Sequence, residues 1–198
     1  MIPKIIKPSK NVITPLSKIK LNITPYTVGD EKGLIDALGG EDINKIIKNI
    51  YDLCCKCSNS DLQDLYYCEL YWLYMQIYSI SVDTIIKFNH AHKDGCLNEV
   101  QIPIDKILFK TSPIKKIIEV DTEDGIYNIE FNYPLITKIL QTDLSKDEKL
   151  FNLYIDKMYD VNGDNLIILN DDDKLELFNQ LDIKKAAEIN NFIQEEPK

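Results

Sequence analysis

The stretch Asp61–Ile104 reads DLQDLYYCELYWLYMQIYSISVDTIIKFNHAHKDGCLNEVQIPI and joins the most apolar helical segment of the chain to its clearest β-hairpin. Between residues 65 and 78 only two polar residues interrupt a run of apolar and aromatic side chains. A helix that is apolar on nearly all sides is buried on nearly all sides. The run of about fourteen residues is shorter than the roughly twenty that cross a bilayer. It therefore predicts a core helix over 65–78, with Trp72 and Leu73 in the main core.

The residues after this helix predict a β-hairpin over 82–104. The segments SVDTIIKFN and LNEVQIPI favour strands, and Lys93-Asp94-Gly95 lies between them as a turn. In the second segment apolar residues alternate with polar ones, which is the period of a half-buried strand: Val100, Ile102 and Ile104 against Glu99 and Gln101. We expect one face of the hairpin to pack on the helix and the other face to stay free.

Periodic segments on both sides of this unit predict further helices. A capping pattern at 27–30 precedes a helix over 31–38, which Gly39-Gly40 ends. The next helix, over 42–56, carries one apolar stripe: Ile43, Ile47, Ile50, Cys54 and Cys57. Near the C-terminus we expect a short helix after Pro134, a helix over 146–159 with the stripe Leu150, Phe151, Tyr154, Ile155 and Met158, and helices over 174–181 and 184–193.

A second hairpin is predicted over 116–121 and 126–133, with a turn at Asp124-Gly125. One of its faces carries Tyr127, Ile129, Phe131 and Tyr133. No βαβ repeat is present, so the fold class is α+β, with helices packed on antiparallel β-hairpins. We expect a single domain over 27–198, built around the core helix 65–78 and the hairpin 82–104, preceded by an extended arm over 1–26.

The arm over 1–26 is unlike the rest of the chain. Four prolines exclude a helix and leave room for one edge strand near 19–23. Five lysines precede the first acidic residue, Asp30, whereas acidic residues crowd the other end of the chain. The lysines fit either a solvated arm or an arm that docks on an acidic neighbour, either a partner subunit or another copy of the chain. We hypothesise that the arm lies outside the core and docks on a partner.

Composition narrows the function classes. The chain has 198 residues, 44% of them hydrophobic and 28% charged, which is ordinary for a globular protein. Its net charge is −9, and all 23 basic residues are lysine. An acidic chain without arginine is poorly suited to bind a phosphate backbone, so we expect no nucleic-acid partner. No apolar run reaches membrane length, and the N-terminus has no secretory signal pattern, so we expect an intracellular protein.

Cysteine and histidine residues suggest a metal site with a competing structural interpretation. Cys54 and Cys57 have C-x-x-C spacing, and His90, His92 and Cys96 lie close to the predicted turn at 93–95. Four such residues could bind zinc tetrahedrally. However, Cys54 and Cys57 also complete a helical stripe, and no second C-x-x-C is present. We therefore favour buried thiols and expect no metal and no cofactor.

Catalytic patterns are missing from the sequence. It contains no G-x-S-x-G, H-E-x-x-H or P-loop motif. The segment Asp160–Asp164 resembles a calcium loop, but its glycine comes too early, so a tight turn is favoured. Glu69 could be a buried general acid, although a carboxylate at the helix rim or paired with a lysine is the preferred interpretation. We expect no catalytic residue and no enzyme.

Several motifs occur along the chain in a consistent order. PYTVGDEK at 25–32 is followed by the aromatic helix segment 71–77 and by Ser81-Val82, and then by Cys96, Pro134, Phe192-Ile193 and Pro197. In this order they resemble the baseplate hub assembly proteins of T-even-like contractile-tailed phages over most of the chain. The chain departs from that family at three positions, with Thr24 and Tyr78 where arginine is usual and Asp83 where glycine is usual. The family's paired cysteines are reduced to Cys96.

The resemblance implies a non-enzymatic baseplate hub component or hub assembly factor that acts by protein–protein docking. Its partners would be other phage baseplate hub or tail proteins, with a homo-oligomer as a further option. It would act in the virion baseplate or in the host cytoplasm during assembly. The alternatives are a transient tail assembly chaperone or a small zinc-containing adaptor. An enzyme that uses Glu69 and His90 is the least favoured.

Overall fold

A computed structural model describes residues 7–40, 42–91, 97–109, 112–144, 152–163 and 165–196. The fold is α+β, with helices and antiparallel sheets, as the sequence predicts. The chain folds into two compact units, the first holding residues 1–65 and 69–110 and the second residues 66–68 and 111–198. Among the described residues, no helix combines the length and the apolar character needed to cross a bilayer.

In its described residues the first unit contains two hairpins and three helices. In chain order its elements are β1 (Lys10–Ile13), β2 (Lys20–Ile23), α1 (Val28–Leu38), α2 (Ile43–Ser58), α3 (Tyr67–Ser81, of which the first two residues belong to the second unit), β3 (Ile85–Ala91), β4 (Leu97–Pro103) and a 3-10 turn (Ile104–Lys106). β1 pairs antiparallel with β2, and β3 pairs antiparallel with β4.

The helix α2 forms where its apolar stripe predicts it. The Asp42 side chain accepts a hydrogen bond from the Lys45 N–H at the N-cap, and Asn59 ends the helix in the left-handed conformation, with φ of 49°. The predicted stripe is buried except for its first residue, Ile43, which is exposed because it lies in the first turn of the helix. The helix predicted over 31–38 is likewise confirmed as α1.

The helix α3 is buried most deeply on one face, and most of its other residues are at least half-buried. Leu70, Leu73 and Ile77 are fully buried and recur at spacings of three and four, which places them on one side of the helix. Trp72, expected in the core, is only half-buried, because it lies about 100° around the helix from Leu73. Tyr71 is 39% exposed. The placement of Leu73 in the core is confirmed.

Residues 10–23 of the N-terminal segment contribute to the core of the first unit. The strand predicted near 19–23 is confirmed as β2, and a second strand, β1, pairs with it. Val12, Leu21 and Ile23 are buried, with Ile23 at 0% exposure. The expectation that this segment lies outside the core is therefore wrong for the residues from Lys10 onward.

The second unit is built on a four-stranded antiparallel sheet of order β5-β6-β7-β8. Its elements are β5 (Lys115–Thr122), β6 (Gly125–Asn132), α4 (Ile136–Gln141), β7 (Ile155–Asp160), β8 (Leu166–Ile167), α5 (Asp171–Gln180) and α6 (Ile183–Gln194). Ile129, Phe131 and Tyr133 are buried, which confirms the apolar face predicted for the second hairpin. The two predicted C-terminal helices are confirmed as α5 and α6.

The helix predicted over 146–159 is wrong at its C-terminal end, where Ile155–Asp160 is the strand β7. Residues 146–151 lie outside the described chain. Phe131 pairs with Ile155 but Glu130 pairs with Lys157, so one extra residue of β7 forms a bulge. In a regular strand, residues an odd number of positions apart point to opposite faces of the sheet. The extra residue of the bulge shifts this alternation by one position, so Ile155 and Met158 point to the same buried face. This spacing of three resembles the period of a helix.

Candidate interaction surface

The cysteines that were candidates for zinc binding are buried thiols as far as the structure describes them. Cys54 and Cys57 lie on the buried face of α2 and form no disulfide. Burial raises the pKa of the Cys54 thiol, which disfavours the thiolate that binds zinc. His92 and Cys96 lie outside the described residues, and His90 lies in β3. Among the described residues no group of three or more potential ligands could hold a metal ion. A chain without bound metal stays a prediction.

Glu69 fastens the N-terminal hairpin to the central helix. Its carboxylate is fully buried, and its Oε1 accepts hydrogen bonds from the N–H groups of Leu16 at 2.5 Å and Ser17 at 3.0 Å. These N–H groups belong to the turn between β1 and β2. The interpretation of Glu69 as a carboxylate at the helix rim is therefore wrong, because Glu69 is fully buried and accepts hydrogen bonds from two backbone N–H groups of a turn distant in the chain.

Further hydrogen bonds continue this attachment along the N-terminal segment. The Thr24 N–H donates to the Cys57 carbonyl at 2.9 Å, and the Tyr26 N–H donates to the Ser81 hydroxyl at 3.1 Å. Within the turn itself, the Ile19 N–H donates to the Thr14 hydroxyl at 2.8 Å. This segment consequently has defined partners on both α2 and α3.

The β3–β4 hairpin is much less buried than the N-terminal segment. None of the described side chains of β3 and β4 is fully buried. Ile86, Val100 and Ile102 are half-buried, and Ile86 pairs directly with Ile102 in the register of the two strands. The polar residues that alternate with them are exposed: Lys87, Asn89, Glu99 and Gln101. The hairpin thus presents an amphipathic ribbon whose apolar face is only partly covered.

The base of this hairpin is fixed. Ile104, the first residue after β4, is buried, and its N–H donates to the Thr84 carbonyl at 2.8 Å. Beside the base lies a cleft of about 460 Å³ lined in part by Lys10, Gln76 and Asp105. The Lys10 ammonium donates to the Gln76 side-chain carbonyl across it at 2.9 Å. The hairpin is therefore anchored at one end.

The outer edges of β3 and β4 can form backbone hydrogen bonds with another strand. In the described chain the two strands form a sheet of only two strands, so each has one edge that no other strand covers. An uncovered edge carries N–H and C=O groups that can pair with an added strand. A two-stranded ribbon is also of marginal stability by itself, so added contacts would stabilise it.

The calcium-like segment beginning at Asp160 is a tight turn. The Gly163 N–H donates to the Asp160 carbonyl at 2.9 Å, and Gly163 has a φ of 78°, in the left-handed region that glycine favours. The Asn165 side-chain amide donates to the Asp160 carboxylate at 2.7 Å. The turn predicted at Asn162-Gly163 is confirmed.

Sequence reasoning did not find the role of Glu69, and it placed the strands β1 and β2 outside the core. A buried carboxylate needs donors, and the only available signal was a lone acid in an apolar helix. Nothing in the local pattern shows that its donors lie 53 residues away.

Comparison with known proteins gives one match. A family model described as T4 bacteriophage base plate protein matches residues 7–198, which is nearly the whole chain. No curated protein matches the chain. No solved structure matches it either.

Proposed function

Because the chain belongs to the T4 bacteriophage base plate protein family, we propose that it is a non-enzymatic component of the baseplate hub or a factor in hub assembly. Membership makes it a structural protein of the phage baseplate, with other phage tail proteins as partners and the virion baseplate as its location. We propose three further points, namely the location in the hub, the role in its assembly and the mode of docking. They agree with the motif order noted in the sequence.

The main support for this mode of docking is the limited burial of the β3–β4 hairpin. Two strands of seven residues each contribute no fully buried side chain among those described, although one of their faces is apolar. A ribbon of this kind gains most from a partner that covers the half-buried Ile86, Val100 and Ile102. In this proposal another baseplate protein covers that face and adds a strand to one edge.

The fixed base supports the same proposal. Since Ile104 and Thr84 hold the foot of the hairpin, the ribbon is preorganised and loses less conformational entropy on binding than a free segment would. A preorganised hairpin is therefore a better docking element than the β1–β2 hairpin, whose Val12, Leu21 and Ile23 are already buried.

A pair of neighbouring substitutions tests this docking face. Val100→Asp places a charge on the apolar face of β4, whereas Gln101→Asp places the same charge on the exposed polar face one residue further along. We expect Val100→Asp to lose co-purification with co-expressed baseplate proteins of the same phage, and Gln101→Asp to retain it. Circular dichroism melts of both variants should stay close to wild type, because neither side chain is fully buried.

Normal co-purification of Val100→Asp would overturn docking through this face. Loss of co-purification for both variants would overturn the assignment to the apolar side. Mass spectrometry of purified virions then separates a retained hub component from an assembly factor. Absence from virions of a protein that the baseplate needs for assembly would identify the factor.

A further inference from the structure

The strand β5 lies at one edge of the four-stranded sheet, and within the described residues no other strand pairs with its outer side. It is eight residues long, whereas the strand at the opposite edge, β8, has only two. Of the two edges, β5 therefore offers the longer row of backbone groups for pairing with another chain.

The hydrogen-bonding pattern shows which residues of β5 face outward. The Tyr133 N–H donates to the Ile114 carbonyl at 3.1 Å, just before the first registered pair of β5 and β6, Lys115 with Asn132. Because hydrogen-bonded pairs alternate in an antiparallel ladder, even-numbered residues of β5 turn their backbone groups to β6. The odd-numbered residues from Lys115 to Asp121 turn theirs outward.

The same odd-numbered residues all have exposed side chains, whereas the even-numbered residues from Lys116 to Val120 are buried or half-buried. They are, in order, Lys115, Ile117, Glu119 and Asp121, so the strand runs from basic through apolar to acidic. Ile117 is 47% exposed. The Lys115 ammonium lies 2.5 Å from a carboxylate oxygen of Glu130, yet its side chain is also 47% exposed, and an ammonium has three donors.

We propose that the outer edge of β5 pairs antiparallel with the same edge of a second copy of this chain. In the register centred on Ile117, the two Ile117 side chains lie opposite each other and each Lys115 lies opposite the other copy's Glu119. The four strands of each copy then form one continuous sheet. The interface obeys a twofold axis because one strand supplies both the basic and the acidic partner.

The alternative pairings are less favourable. Shifting the register by two residues sets Lys115 opposite Asp121 but Ile117 opposite Glu119, which leaves an apolar side chain against a carboxylate. Parallel pairing in register sets Lys115 beside Lys115 and Glu119 beside Glu119. Like charges opposite each other destabilise a sheet, so the order of charges selects the antiparallel register centred on Ile117.

This inference does not depend on the proposed function, since it rests on β5 alone and concerns a different surface from the β3–β4 hairpin. Pairing through a strand edge buries less area than the roughly 1,200–2,000 Å² of a stable interface, so the dimer should be weak and concentration-dependent. In a baseplate, neighbouring copies held close together would pair far more completely than free chains.

Sedimentation velocity of the full chain between about 5 and about 500 µM tests the dimer directly, because this range covers weak interfaces. We expect a reversible rise from monomer to dimer. Ile117→Lys should weaken the dimer by about tenfold or more, because it replaces the central apolar contact with two like charges. Because Ile117 is on the exposed face, the melting temperature of this variant should stay near that of wild type.

Cysteine cross-linking tests the register. In the Ile117-centred register only residue 117 lies opposite itself, so Ile117→Cys should be cross-linked into a dimer by a short bis-maleimide. Glu119→Cys is the matched control, because the two copies of that position are four residues out of register. Wild type gives the background from the native thiols, of which Cys55 is half-exposed.

Three results would overturn the proposal. The first is a wild-type chain that stays monomeric over the whole concentration range. The second is an Ile117→Lys variant that dimerises as well as wild type, which would assign dimerisation to another surface. The third is equal cross-linking of Ile117→Cys and Glu119→Cys, which would exclude this register.

Discussion

The β1–β2 and β3–β4 hairpins belong to the same unit and are opposite in how they are held. The short strands β1 and β2 bury Val12, Leu21 and Ile23, and a fully buried carboxylate binds their turn. The longer strands β3 and β4 bury no described side chain completely and are fixed at their base. Strand length therefore does not measure how much a hairpin contributes to the core. The contribution depends on which neighbours cover its apolar face.

The largest difference in stability between the two hairpins should appear when each hairpin is removed in turn. Deleting residues 1–23 removes three buried aliphatic side chains, each worth about 2–5 kcal/mol, which together approach the about 5–15 kcal/mol that holds a whole domain folded. We expect loss of the cooperative thermal transition, followed by circular dichroism. Replacing residues 85–103 by an Asn-Gly turn should leave the transition within a few degrees of wild type, since Thr84 and Ile104 are already hydrogen-bonded neighbours.

A well-folded chain lacking residues 1–23 would contradict the assignment of β1–β2 to the core. Unfolding after removal of 85–103 would show that β3–β4 contributes to stability and is not free for a partner.

Single truncations sharpen the same comparison. Ile23→Ala, at a fully buried site in β2, should lower the free energy of unfolding by about 2–5 kcal/mol. Ile102→Ala, at a half-buried site in β4, should cost about 1 kcal/mol or less, because less apolar area returns to water. Urea denaturation of both variants gives the two values, and equal losses would contradict the difference in burial.

The carboxylates of Glu69 and Glu99 allow the same comparison to be made with polar side chains. Glu69→Ala leaves the N–H groups of Leu16 and Ser17 without their buried acceptor, at a cost of about 1–3 kcal/mol for each unsatisfied group. Glu99→Ala removes an exposed carboxylate of β4 and should change stability by less than about 0.5 kcal/mol. A Glu69→Ala variant as stable as Glu99→Ala would show that the turn between β1 and β2 does not depend on Glu69.

The smallest effect concerns Asp30, which lies just beyond β2 at the start of α1. Burial alone would raise the pKa of Asp30, but hydrogen bonds from Lys56 and Thr27 lower it to about 2. This pKa is lower than that of an aspartate in the unfolded chain. The ionised Asp30 therefore stabilises the folded state above about pH 4, and this stabilisation is lost as the pH falls towards 2. After discounting for solvent around the pair, we expect Asp30→Asn to cost about 1 kcal/mol at pH 7.

The Asp30→Asn variant should also show a flatter acid limb between about pH 4 and 2 in unfolding experiments. Lys56→Met should reproduce part of this change because it removes one of the two residues that donate hydrogen bonds to Asp30. Lys48→Met is the control on the same helix, since the Lys48–Asp52 pair is exposed on both sides and should contribute less than about 0.5 kcal/mol. An unchanged acid limb in Asp30→Asn would contradict the low pKa.

Local sequence signals predicted most of the elements. The capping pattern before α1, the apolar stripe of α2, the β3–β4 and β5–β6 hairpins and the turn at Asn162-Gly163 all follow from patterns within a few residues. The strand β7 was missed because its bulge sets Ile155 and Met158 three residues apart, which local periodicity cannot distinguish from a helix. The order of motifs also indicated the baseplate family, which the match over residues 7–198 confirms.

The sequence by itself thus determined most of the segments that become helices and strands, because capping and alternation act between neighbours in the chain. Tertiary structure alone decided which apolar faces are covered. The segments of β2 and β4 both alternate apolar with polar residues, yet Ile23 is buried and Ile102 is only half-buried. Burial depends on partners distant in the chain, such as Glu69 for the turn at Leu16, and no local pattern contains that information.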